Sequence, residues 1–479
     1  MQKFKVNLQN LFLYFNLTLM ALIKSISGFR GTIGGRPNDN LTPIDIVKFA
    51  SAYGTWLKQK SAGPKKVVVG RDGRISGNML SNLVEQSLIA LGIDVIQLGL
   101  STTPTVEMCV VVEKADGGII LTASHNPKEW NALKLLNHQG EFVSAIEGKS
   151  ILSLAANEDF EFADVDHMGS IIYNDSSLQK HIDAIVNYPL VDVEAIKKSN
   201  FSIVIDAINS SGAFAVPALL DAIGVSNYNV LNAEMHGNFT HNPEPLKEHL
   251  TELCNTVLHT QSDLGIAVDP DVDRLCFVCE DGELFGEEYT LVAVADYILQ
   301  NKKGSTVSNL SSTRALKNIT EKNGCAYFAS AVGEVNVVEK MKQENAVIGG
   351  EGNGGIIVPD FHYGRDALIG IALFLTHLAK LKLSASALKA SLPLYYMSKK
   401  KMELNASISL EKIYAGLEKQ FVNEEINKID GMKIDFENKW VHLRPSNTEP
   451  IIRIYTEAAS QIEADALADQ IISIIHTIQ

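Results

Sequence analysis

The sequence predicts an α/β protein of several domains, in which related units of strand, polar loop and helix precede a smaller α+β module. Three observations support this prediction. The chain has 479 residues, a length that corresponds to roughly three or four domains. Short apolar runs alternate with segments of helical spacing, which indicates mostly parallel sheets. One arrangement of strand, polar loop and helix recurs along the chain, which indicates repeated domains.

The composition argues against some classes of protein. Hydrophobic residues make up 46% of the chain, which is enough for large cores. The 42 basic and 56 acidic residues give a net charge of −14. This excess of negative charge argues against a nucleic-acid-binding protein, so a phosphate site would have to be local.

The cysteines favour a reducing cytoplasm. There are five of them, an odd number without framework spacing, which argues against disulfides. Cys276 and Cys279 lie within an apolar run, and we interpret them as strand residues rather than a metal or redox pair. The five positions are Cys109, Cys254, Cys276, Cys279 and Cys325.

The N-terminal segment resembles a signal peptide only in part. Lys3 and Lys5 precede an apolar run over residues 11–23, but polar residues such as Asn16 interrupt the run and no small-residue cleavage pattern follows. The run is also too short to span a bilayer. We therefore interpret residues 1–19 as a non-native or disordered extension that arises from an upstream start codon, and we predict a cytoplasmic protein without membrane contact.

The first domain is expected to begin with a Gly-rich loop at residues 27–35. Arg30 in this loop offers a fork of donors for phosphate, although such a loop near a terminus is often only a turn. A second polar loop, Arg-Asp-Gly-Arg at 71–74, ends a strand. The expected elements are helix 44–58, strand 66–69, helix 77–91, strand 95–98, helix 105–113 and strand 118–120.

The run LTASHNP at residues 121–127 organises this domain. Ser124 follows a strand, at the position where α/β sheets place chemistry. With His125 beside it and Pro127 stiffening the exit, its hydroxyl is suited to act as a nucleophile or phosphate carrier. The alternative is a polar turn without chemistry. If the chain folds back as a hairpin, Lys134 becomes a cation or proton acceptor beside the serine.

The pattern recurs further along the chain. Strands at 201–206 and 305–310 are each followed by a polar loop and a helix. The C-terminal module is expected to contain helices 410–420 and 461–475, with strands around Val441 and Ile452. We place boundaries near residues 170, 283 and 393, which gives domains at 20–170, 171–283, 284–393 and 394–479.

A candidate metal loop follows a buried strand in the second domain. Asp269, Asp271 and Asp273 are carboxylates at alternate positions, suited to converge on one hard cation such as Mg²⁺. A calcium EF-hand is the rival, because Glu280 falls at its twelfth position, but Arg274 stands where that loop needs glycine. A solvated acidic turn is disfavoured because the three charges would repel one another without a cation.

Two further loops carry ligand-binding residues. The Gly-rich stretch 349–355 contains Glu351 and Asn353, whose acceptor and amide suit sugar hydroxyls, unless the stretch is only a structural turn. The run RPSNTEP at 444–450 offers guanidinium, hydroxyl and amide donors for a dianion, the alternative being an incidental polar loop. The dianion candidates are Arg444, Ser446, Asn447, Thr448 and Arg453.

Taken together, TASHNP, DPDVDR, GEGNGG and RPSNTEP resemble the motifs of the α-D-phosphohexomutase family, in order and from about Met20 onward. The resemblance implies a heart-shaped enzyme in which three related mixed α/β sheet domains and a C-terminal α+β domain surround a central cleft. It implies a hexose phosphate substrate, Mg²⁺, a phosphoserine and a sugar 1,6-bisphosphate activator. Nucleic acid and membrane are not implied as partners, and the expected state is a monomer or homodimer.

The resemblance also assigns residue roles. Ser124 would be the phosphorylated serine and, with Asp269, Asp271 and Asp273, a metal ligand. Proton and phosphoryl transfer would involve Lys134, Arg30 and His125. The residues implied to bind substrate are Arg274, Glu351, Asn353, Arg444, Ser446, Asn447, Thr448 and Arg453.

Some positions depart from the family pattern. Gly355 stands where many relatives have a candidate acid/base histidine, Asn353 where they have serine, and Ala132 where they have glycine. The GEGNGG and SGFRGTIGG loops are most similar to the archaeal and Bacteroidetes-type branch called phosphoglucosamine mutase, which predicts interconversion of glucosamine 6-phosphate and glucosamine 1-phosphate. The alternatives are a phosphomannomutase or phosphoglucomutase, a serine-dependent phosphohydrolase, and a non-catalytic sugar-phosphate-binding protein.

Overall fold

The computed structural model describes residues 22–25, 28–403, 409–445 and 451–478. The expected N-terminal extension, residues 1–19, lies outside these ranges, as do Ser446, Asn447 and Thr448. The chain divides into two compact units. The first contains the described residues up to Asn187 together with Val204–Leu253 and Ala267–Asp273; the second contains Tyr188–Ile203, Cys254–Ile266 and the described residues from Arg274 onward.

The first sheet has seven strands in the order β1-β2-β6-β5-β3-β4-β7. Its strands are β1 (Leu22–Ser25), β2 (Gly28–Thr32), β3 (Lys65–Arg71), β4 (Ile93–Leu100), β5 (Gly117–Leu121), β6 (Trp130–Leu136) and β7 (Ile171–Tyr173). The helices that accompany them are α1 (Pro43–Lys60), α2 (Gly77–Ala90), α3 (Thr103–Val112), α4 (Ala145–Asn157) and α5 (Ser177–Val186). The pairs β3–β4, β3–β5 and β4–β7 are parallel, whereas β5–β6, β6–β2 and β2–β1 are antiparallel. The sheet is therefore mixed.

Packing on both faces explains the apolar composition of β3. Val67 and Val69 lie in one hydrophobic cluster with residues of α1 and α2, whereas Val68 lies in a second cluster with residues of α3. Successive side chains of a strand point to opposite faces, so a strand covered on both sides needs a continuous apolar run. The loop that was expected to start at Arg71 starts one residue later, because Arg71 still pairs with β4 and β5.

Two four-stranded sheets follow, with orders β11-β10-β8-β9 and β13-β12-β14-β15. The strands are β8 (Ser202–Asp206), β9 (Asn227–Leu231), β10 (Leu264–Val268), β11 (Leu275–Cys279), β12 (Thr306–Asn309), β13 (Tyr327–Ser330), β14 (Ile348–Glu351) and β15 (Gly355–Ile357). The helices are α6 (Val193–Ser199), α7 (Gly212–Ala222), α8 (Thr251–Thr260), α9 (Glu287–Asn301), α10 (Ala315–Lys322), α11 (Glu334–Gln343), α12 (Ala367–Leu381) and α13 (Ala385–Ser391). Cys276 and Cys279 are buried strand residues, which confirms that interpretation.

The boundary of β14 differs from the prediction. The Gly-rich stretch was expected to begin at residue 349, but β14 runs from Ile348 to Glu351 and forms a hairpin with β15. Gly349 therefore belongs to the strand and not to the loop. A Cβ at Gly349 would lie 2.8 Å from the Val307 carbonyl oxygen and 2.5 Å from the Met341 sulfur, so close packing and not a turn explains this glycine.

The C-terminal sheet is antiparallel, with five strands in the order β16-β20-β19-β18-β17. Its elements are β16 (Tyr396–Glu403), α14 (Leu410–Gln420), β17 (Glu425–Asn427), β18 (Met432–Asp435), β19 (Trp440–Pro445), β20 (Ile451–Ala458) and α15 (Gln461–Ile478). Apolar residues of both helices and of the inner strands form one core. This arrangement confirms the expected fold class of three mixed α/β sheets followed by an α+β module.

No single helix among the described residues is long and apolar enough to cross a membrane. Two successive helices, α12 and α13, are together long and apolar enough for a membrane span by length and composition alone, but the chain bends by 86° at the break between them. Twelve residues of α12 are buried. The apolar character of α12 is therefore accounted for by core packing.

A buried histidine links the C-terminal sheet to the loop after β12. His442 Nε2 lies 2.7 Å from the Asp430 carbonyl oxygen, and Nδ1 lies 2.9 Å from Ser311 Oγ. Nε2–H therefore donates to the carbonyl, and Nδ1 accepts from the hydroxyl. Burial, with smaller contributions from Lys433 and Arg444, lowers the pKa of His442 to about 4. The neutral imidazole is the form that this contact stabilises.

This histidine should make the second unit sensitive to acid. The unfolded chain takes up the proton near pH 6.5 and the folded chain only near pH 4, so stability should fall as the pH is lowered between those values, by about 2 to 3 kcal/mol in total. Thermal unfolding from pH 8 to pH 4 should show a shallower pH dependence for His442→Gln than for the wild type. The exposed His476→Gln serves as control and should match the wild type; identical slopes for all three proteins would contradict the assignment.

Candidate active site

Ser124 lies in the loop of the hairpin formed by β5 and β6, as the sequence predicted. The register pairs Ile120 with Lys134, which returns that lysine toward the serine. Ser124 is only 3% exposed, and its φ of +50° lies in the left-handed region that side chains other than glycine rarely adopt. Its backbone N–H donates to Thr122 Oγ1 at 2.9 Å. The serine is thus held in one strained conformation.

The three predicted metal ligands follow β10 in a tight loop. Asp269, Asp271 and Asp273 are fully buried, and one oxygen from each lies within 4.8 Å of the others. Val272 between them has a φ of +60°, which turns the chain so that the carboxylates converge. Ser124 Oγ donates to Asp269 Oδ2 at 2.6 Å. The nucleophile candidate and the acidic cluster therefore form one site within the first unit.

The donor set fits a hard divalent cation. Asp271 Oδ1 is buried and has no hydrogen-bond partner among the residues that the structure describes. Such an oxygen is costly to leave unsatisfied, and carboxylate oxygens are the ligands that Mg²⁺ prefers. The rival interpretation, a calcium EF-hand, is not formed, because β11 begins at Leu275, where that loop would continue.

Lys134 supplies positive charge to the same cluster. Its Nζ lies 2.7 Å from Asp271 Oδ2 and 3.3 Å from Asp273 Oδ2. Thr103 at the start of α3 also donates to Asp271, with its Oγ1 2.6 Å from Oδ2. Thr103 was not predicted as a site residue, because no local pattern in the sequence indicates that the start of α3 meets the acidic loop.

Arg30 and His125 both lie near the serine loop, but they make different contacts. Arg30 lies in strand β2 and not in the expected Gly-rich loop, and its Nη1 donates to Asn126 Oδ1 at 2.8 Å, which ties β2 to the serine loop. His125 Nδ1 lies 3.5 Å from Ser124 Oγ, a distance at the limit of hydrogen bonding. The structure thus brings both predicted residues to the site.

Ser210 and Ser211, in the loop after β8, tie two site loops together. Gly73 N–H donates to Ser210 Oγ at 2.9 Å, and that hydroxyl donates to the Pro270 carbonyl at 2.7 Å. Ser211 Oγ donates to the Ser101 carbonyl at 2.7 Å. In the sequence these serines belong to the polar loop that follows the strand predicted at 201–206, without a predicted role. Their contacts position the acidic loop against the loop that ends β3.

Glu351 in the second unit is held by a dense set of donors. Its Oε1 accepts from Asn309 Nδ2 at 2.9 Å and from Gly333 N–H at 3.1 Å. Its Oε2 accepts from Arg365 Nη1 at 3.0 Å, and Asn353 Nδ2 lies 3.4 Å away. The side chain is therefore fixed and buried. Its neighbours Arg365 and Asn309 were not predicted as site residues.

Arg365 also explains the glycine that replaces the expected histidine. A Cβ at Gly355 would lie 2.3 Å from Arg365 Cδ. The stem of the arginine thus fills the space where a side chain at position 355 would begin. Arg365 Nε further pairs with Glu334 Oε2 at 3.0 Å, so its guanidinium joins two carboxylates.

The two arginines predicted to bind phosphate lie on neighbouring antiparallel strands. Arg444 of β19 is directly opposite Arg453 of β20, and Arg453 is opposite Lys401 of β16. Directly opposed residues share a face, so three cations form a row. Asp430 Oδ2 pairs with Arg444 Nε at 2.9 Å. Like charges in register are unfavourable unless an anion joins them, which favours a phosphate site here. Lys401 was missed because its place depends on strand register.

The remaining predicted residues are placed only in part. Arg274 is 8% exposed and follows Asp273 directly in the sequence. Asn353 accepts from Gly355 N–H at 3.2 Å, which shapes the hairpin between β14 and β15. Ser446, Asn447 and Thr448 lie outside the described residues, so their roles stay predictions.

Four family models match the chain in succession. They are the alpha/beta/alpha domains I, II and III of phosphoglucomutase/phosphomannomutase, at residues 23–162, 179–282 and 286–396, and the C-terminal domain, at 399–474. The chain belongs to this family. Its members are magnesium-dependent phosphohexomutases, which are isomerases. The domain boundaries expected near 170, 283 and 393 stay predictions.

Relatives with curated names cover nearly the whole chain. A phosphoglucomutase/phosphomannomutase of Thermococcus kodakarensis is 37% identical over 91% of this chain and 95% of its own length. A phosphoglucosamine/phosphogalactosamine mutase of Sulfurisphaera tokodaii is 31% identical over 95% and 99%. A crystal structure of a phosphoglucomutase/phosphomannomutase family protein from Burkholderia thailandensis has a TM-score of 0.82 at 25% identity, covering 95% and 98%.

The acidic cluster should bind Mg²⁺ through the charge of its central aspartate. Asp271→Asn keeps the shape of the side chain but removes a full charge, so the dissociation constant for Mg²⁺ measured by calorimetry should rise at least about tenfold. Asp166→Asn, which removes an exposed charge from the same unit, should leave affinity unchanged. An unaltered Mg²⁺ affinity in the Asp271 variant would show that the ion binds elsewhere.

Proposed function

We propose that this phosphohexomutase transfers a phosphoryl group between Ser124 and a hexose phosphate, most readily glucosamine 6-phosphate and glucosamine 1-phosphate. The observation that carries the proposal is the position of Ser124 Oγ, 2.6 Å from Asp269 Oδ2 at the edge of a buried cluster of three carboxylates. A nucleophile needs an acceptor for its proton and an environment that tolerates a phosphoryl group. Asp269 is the acceptor, and Lys134 adds positive charge to the carboxylate cluster within the same unit.

Residues of the first unit have separate roles in the proposed phosphoryl transfer. Asp269 accepts the hydrogen bond of the Ser124 hydroxyl and so orients the oxygen that attacks phosphorus. Lys134 Nζ, held 2.7 Å from Asp271, supplies a positive charge and a proton donor within the same carboxylate cluster. Arg30 fixes Asn126 and adds a positive charge beside the serine loop. A bound Mg²⁺ would offset negative charge on the transferred group.

The reaction balances if the serine acts as a carrier. Phosphoserine 124 gives its phosphoryl to the free hydroxyl of a hexose monophosphate, and the serine hydroxyl is restored together with a sugar 1,6-bisphosphate. The serine then takes the other phosphoryl from that bisphosphate, and the isomeric monophosphate is left. The P–O bond that breaks in each step is replaced by one that forms, so no water is consumed. A sugar 1,6-bisphosphate would also charge the serine initially.

The second unit would hold the sugar and its non-reacting phosphate. Arg444, Arg453 and Lys401 form a row of cations suited to a phosphate dianion. Glu351 is suited to accept hydrogen bonds from ring hydroxyls, with its orientation set by Arg365. Ser446, Asn447 and Thr448 complete the phosphate site in this proposal. Arg274 and Asn353 would add donors.

The names of relatives support a hexose phosphate as the substrate. The Sulfurisphaera enzyme is named for amino sugars and a 32% identical protein of Methanopyrus kandleri is named probable phosphoglucosamine mutase. The Thermococcus relative is named for glucose and mannose phosphates. An Aspergillus fumigatus N-acetylphosphoglucosamine mutase of related fold, solved with GlcNAc-6P and magnesium, has a TM-score of 0.57. We favour an amino sugar phosphate as the substrate. The cytoplasmic location and the oligomeric state stay predictions.

Removal of the serine hydroxyl tests the carrier role. Ser124→Ala should reduce mutase turnover by roughly three orders of magnitude or more, because the group that accepts the phosphoryl is lost. Binding of glucosamine 6-phosphate should remain. Intact-mass spectrometry after incubation with glucosamine 1,6-bisphosphate should show one added phosphoryl on the wild type and none on the variant. Wild-type turnover in Ser124→Ala would remove the phosphoserine from the mechanism.

Sugar preference can be tested at Glu351. Glu351→Gln should lower kcat/KM for glucose, mannose and glucosamine phosphates by roughly ten- to a hundredfold, because a charged acceptor is lost. The loss should be largest for glucosamine phosphate if the carboxylate also favours the protonated amine.

The matched control for Glu351 is Glu334→Gln, which removes the other carboxylate on Arg365 and should affect the three sugars alike. An equal loss on all three sugars in Glu351→Gln would instead mean that this carboxylate reads only the hydroxyls that they share.

A further inference from the structure

Arg74, in the loop after β3, lies behind the serine loop and is 1% exposed. All five N–H groups of its guanidinium have acceptors. Nε donates to Asp72 Oδ2 at 3.0 Å. The other four N–H groups donate to backbone carbonyls of one loop, those of Ser124 at 2.5 Å, Asn126 at 2.6 Å, Pro127 at 2.7 Å and Trp130 at 2.9 Å.

The serine loop depends on an outside donor of this kind. Where β5 ends and β6 begins, the hairpin carbonyls no longer meet strand partners, and a buried carbonyl without a donor is unfavourable. Ser124 is also held at a φ of +50°, a conformation that persists only when the surroundings impose it. One guanidinium satisfies four of the loop carbonyls, including that of Ser124 itself.

A second set of hydrogen bonds connects Arg74 to the backbone N–H of Ser124. Asp72 accepts from Arg74 through both oxygens, from the backbone N–H at 2.9 Å and from Nε at 3.0 Å. Asp72 Oδ2 also accepts from Thr122 Oγ1 at 2.7 Å, and that hydroxyl accepts from Ser124 N–H at 2.9 Å. Both the N–H and the C=O of Ser124 are therefore fixed by a network that starts at Arg74.

We propose that Arg74 is the positioning residue of the nucleophile, acting through Asp72 and Thr122 to hold Ser124 with its hydroxyl directed at Asp269. We call Asp72, Arg74 and Thr122 the brace. This inference rests on the proposed phosphoserine function and extends it, because it says what keeps the serine in place. Since every N–H of Arg74 already has a protein acceptor, its role is to fix the loop and not to bind phosphate.

The arrangement of the carbonyl acceptors explains why residue 74 is an arginine and not a lysine. A guanidinium presents five donors in a rigid plane, so it can bridge several carbonyls at once, whereas an ammonium on a flexible stem offers three donors from one point. Arg74 also lies over the ring of Phe239, 5.0 Å from its centroid, which restrains the plane of the guanidinium. A lysine would keep the charge but lose this simultaneous contact.

The central test compares Arg74→Lys with Tyr53→Phe. The control removes a buried hydrogen bond of the same unit, from Tyr53 Oη to the Leu136 carbonyl, away from the serine loop. Arg74→Lys should lower kcat roughly a hundredfold, the scale expected when a reacting group is displaced by about 1 Å. KM for glucosamine 6-phosphate should stay within about twofold, because the substrate contacts are untouched. Tyr53→Phe should keep wild-type kcat.

A second pair of variants covers the case in which Arg74→Lys fails to fold. Thr122→Ser keeps the hydroxyl that links Asp72 to Ser124 N–H, whereas Thr122→Val removes it at nearly constant volume. The serine variant should retain kcat and the valine variant should lose it. Hydrogen exchange of peptides covering residues 121–130 should accelerate in Thr122→Val and Arg74→Lys, with exchange in helix α1 unchanged.

Outcomes separate this inference from the proposed function. Wild-type kcat in Arg74→Lys, or equal kcat and exchange rates for Thr122→Val and Thr122→Ser, would overturn the brace even if Ser124→Ala is inactive. Activity in Ser124→Ala would overturn the phosphoserine function, while the exchange data would still decide whether the brace holds the loop. A loss of kcat in Tyr53→Phe equal to that in Arg74→Lys would reduce the effect to general destabilisation and also overturn the inference.

Discussion

Three buried carboxylates, each with an oxygen within 4.8 Å of the others, require compensating charge or hydrogen-bond donors in the first unit. Like charges in a region of low dielectric cannot all stay ionised unless cations or donors compensate them. Lys134 and Thr103 meet part of this demand at Asp271. The remaining negative charge is what makes the loop fit for a divalent cation. The serine hydroxyl directed at Asp269 is positioned by the same cluster, so nucleophile and acidic loop depend on one arrangement.

Loops at the ends of several strands carry this arrangement. The serine loop follows β5, the Arg74 loop follows β3, the Ser210 loop follows β8 and the acidic loop follows β10. The sheets fix where these loops start, but side chains such as Ser210 and Arg74 decide how they meet. Each of these side chains satisfies backbone groups that no strand pairs, which is the physical reason for polar residues at buried positions.

Much of this could be predicted from the sequence. Ser124, Lys134 and the three aspartates stand in local patterns whose chemistry is readable, and the structure brings all five together. Arg74 and Thr103 could not be recognised in this way, because their partners lie about 50 and 168 residues away along the chain and no local pattern encodes the contact. Lys401 was missed for a similar reason, since its alignment with Arg453 follows from antiparallel register. The end of β14 was misplaced because Gly349 resembles a loop residue, whereas tertiary packing against Val307 and Met341 accounts for this glycine.

The central claim is that Ser124 passes its phosphoryl to sugar and not to water. Protein labelled with ³²P on Ser124 and mixed with excess unlabelled glucosamine 6-phosphate, in a single turnover, tests this directly. The label should leave the protein and appear in glucosamine 1,6-bisphosphate and glucosamine monophosphates. Label recovered as inorganic phosphate at the rate of its loss from the protein, or label retained on the serine while sugar is isomerised, would contradict the mechanism.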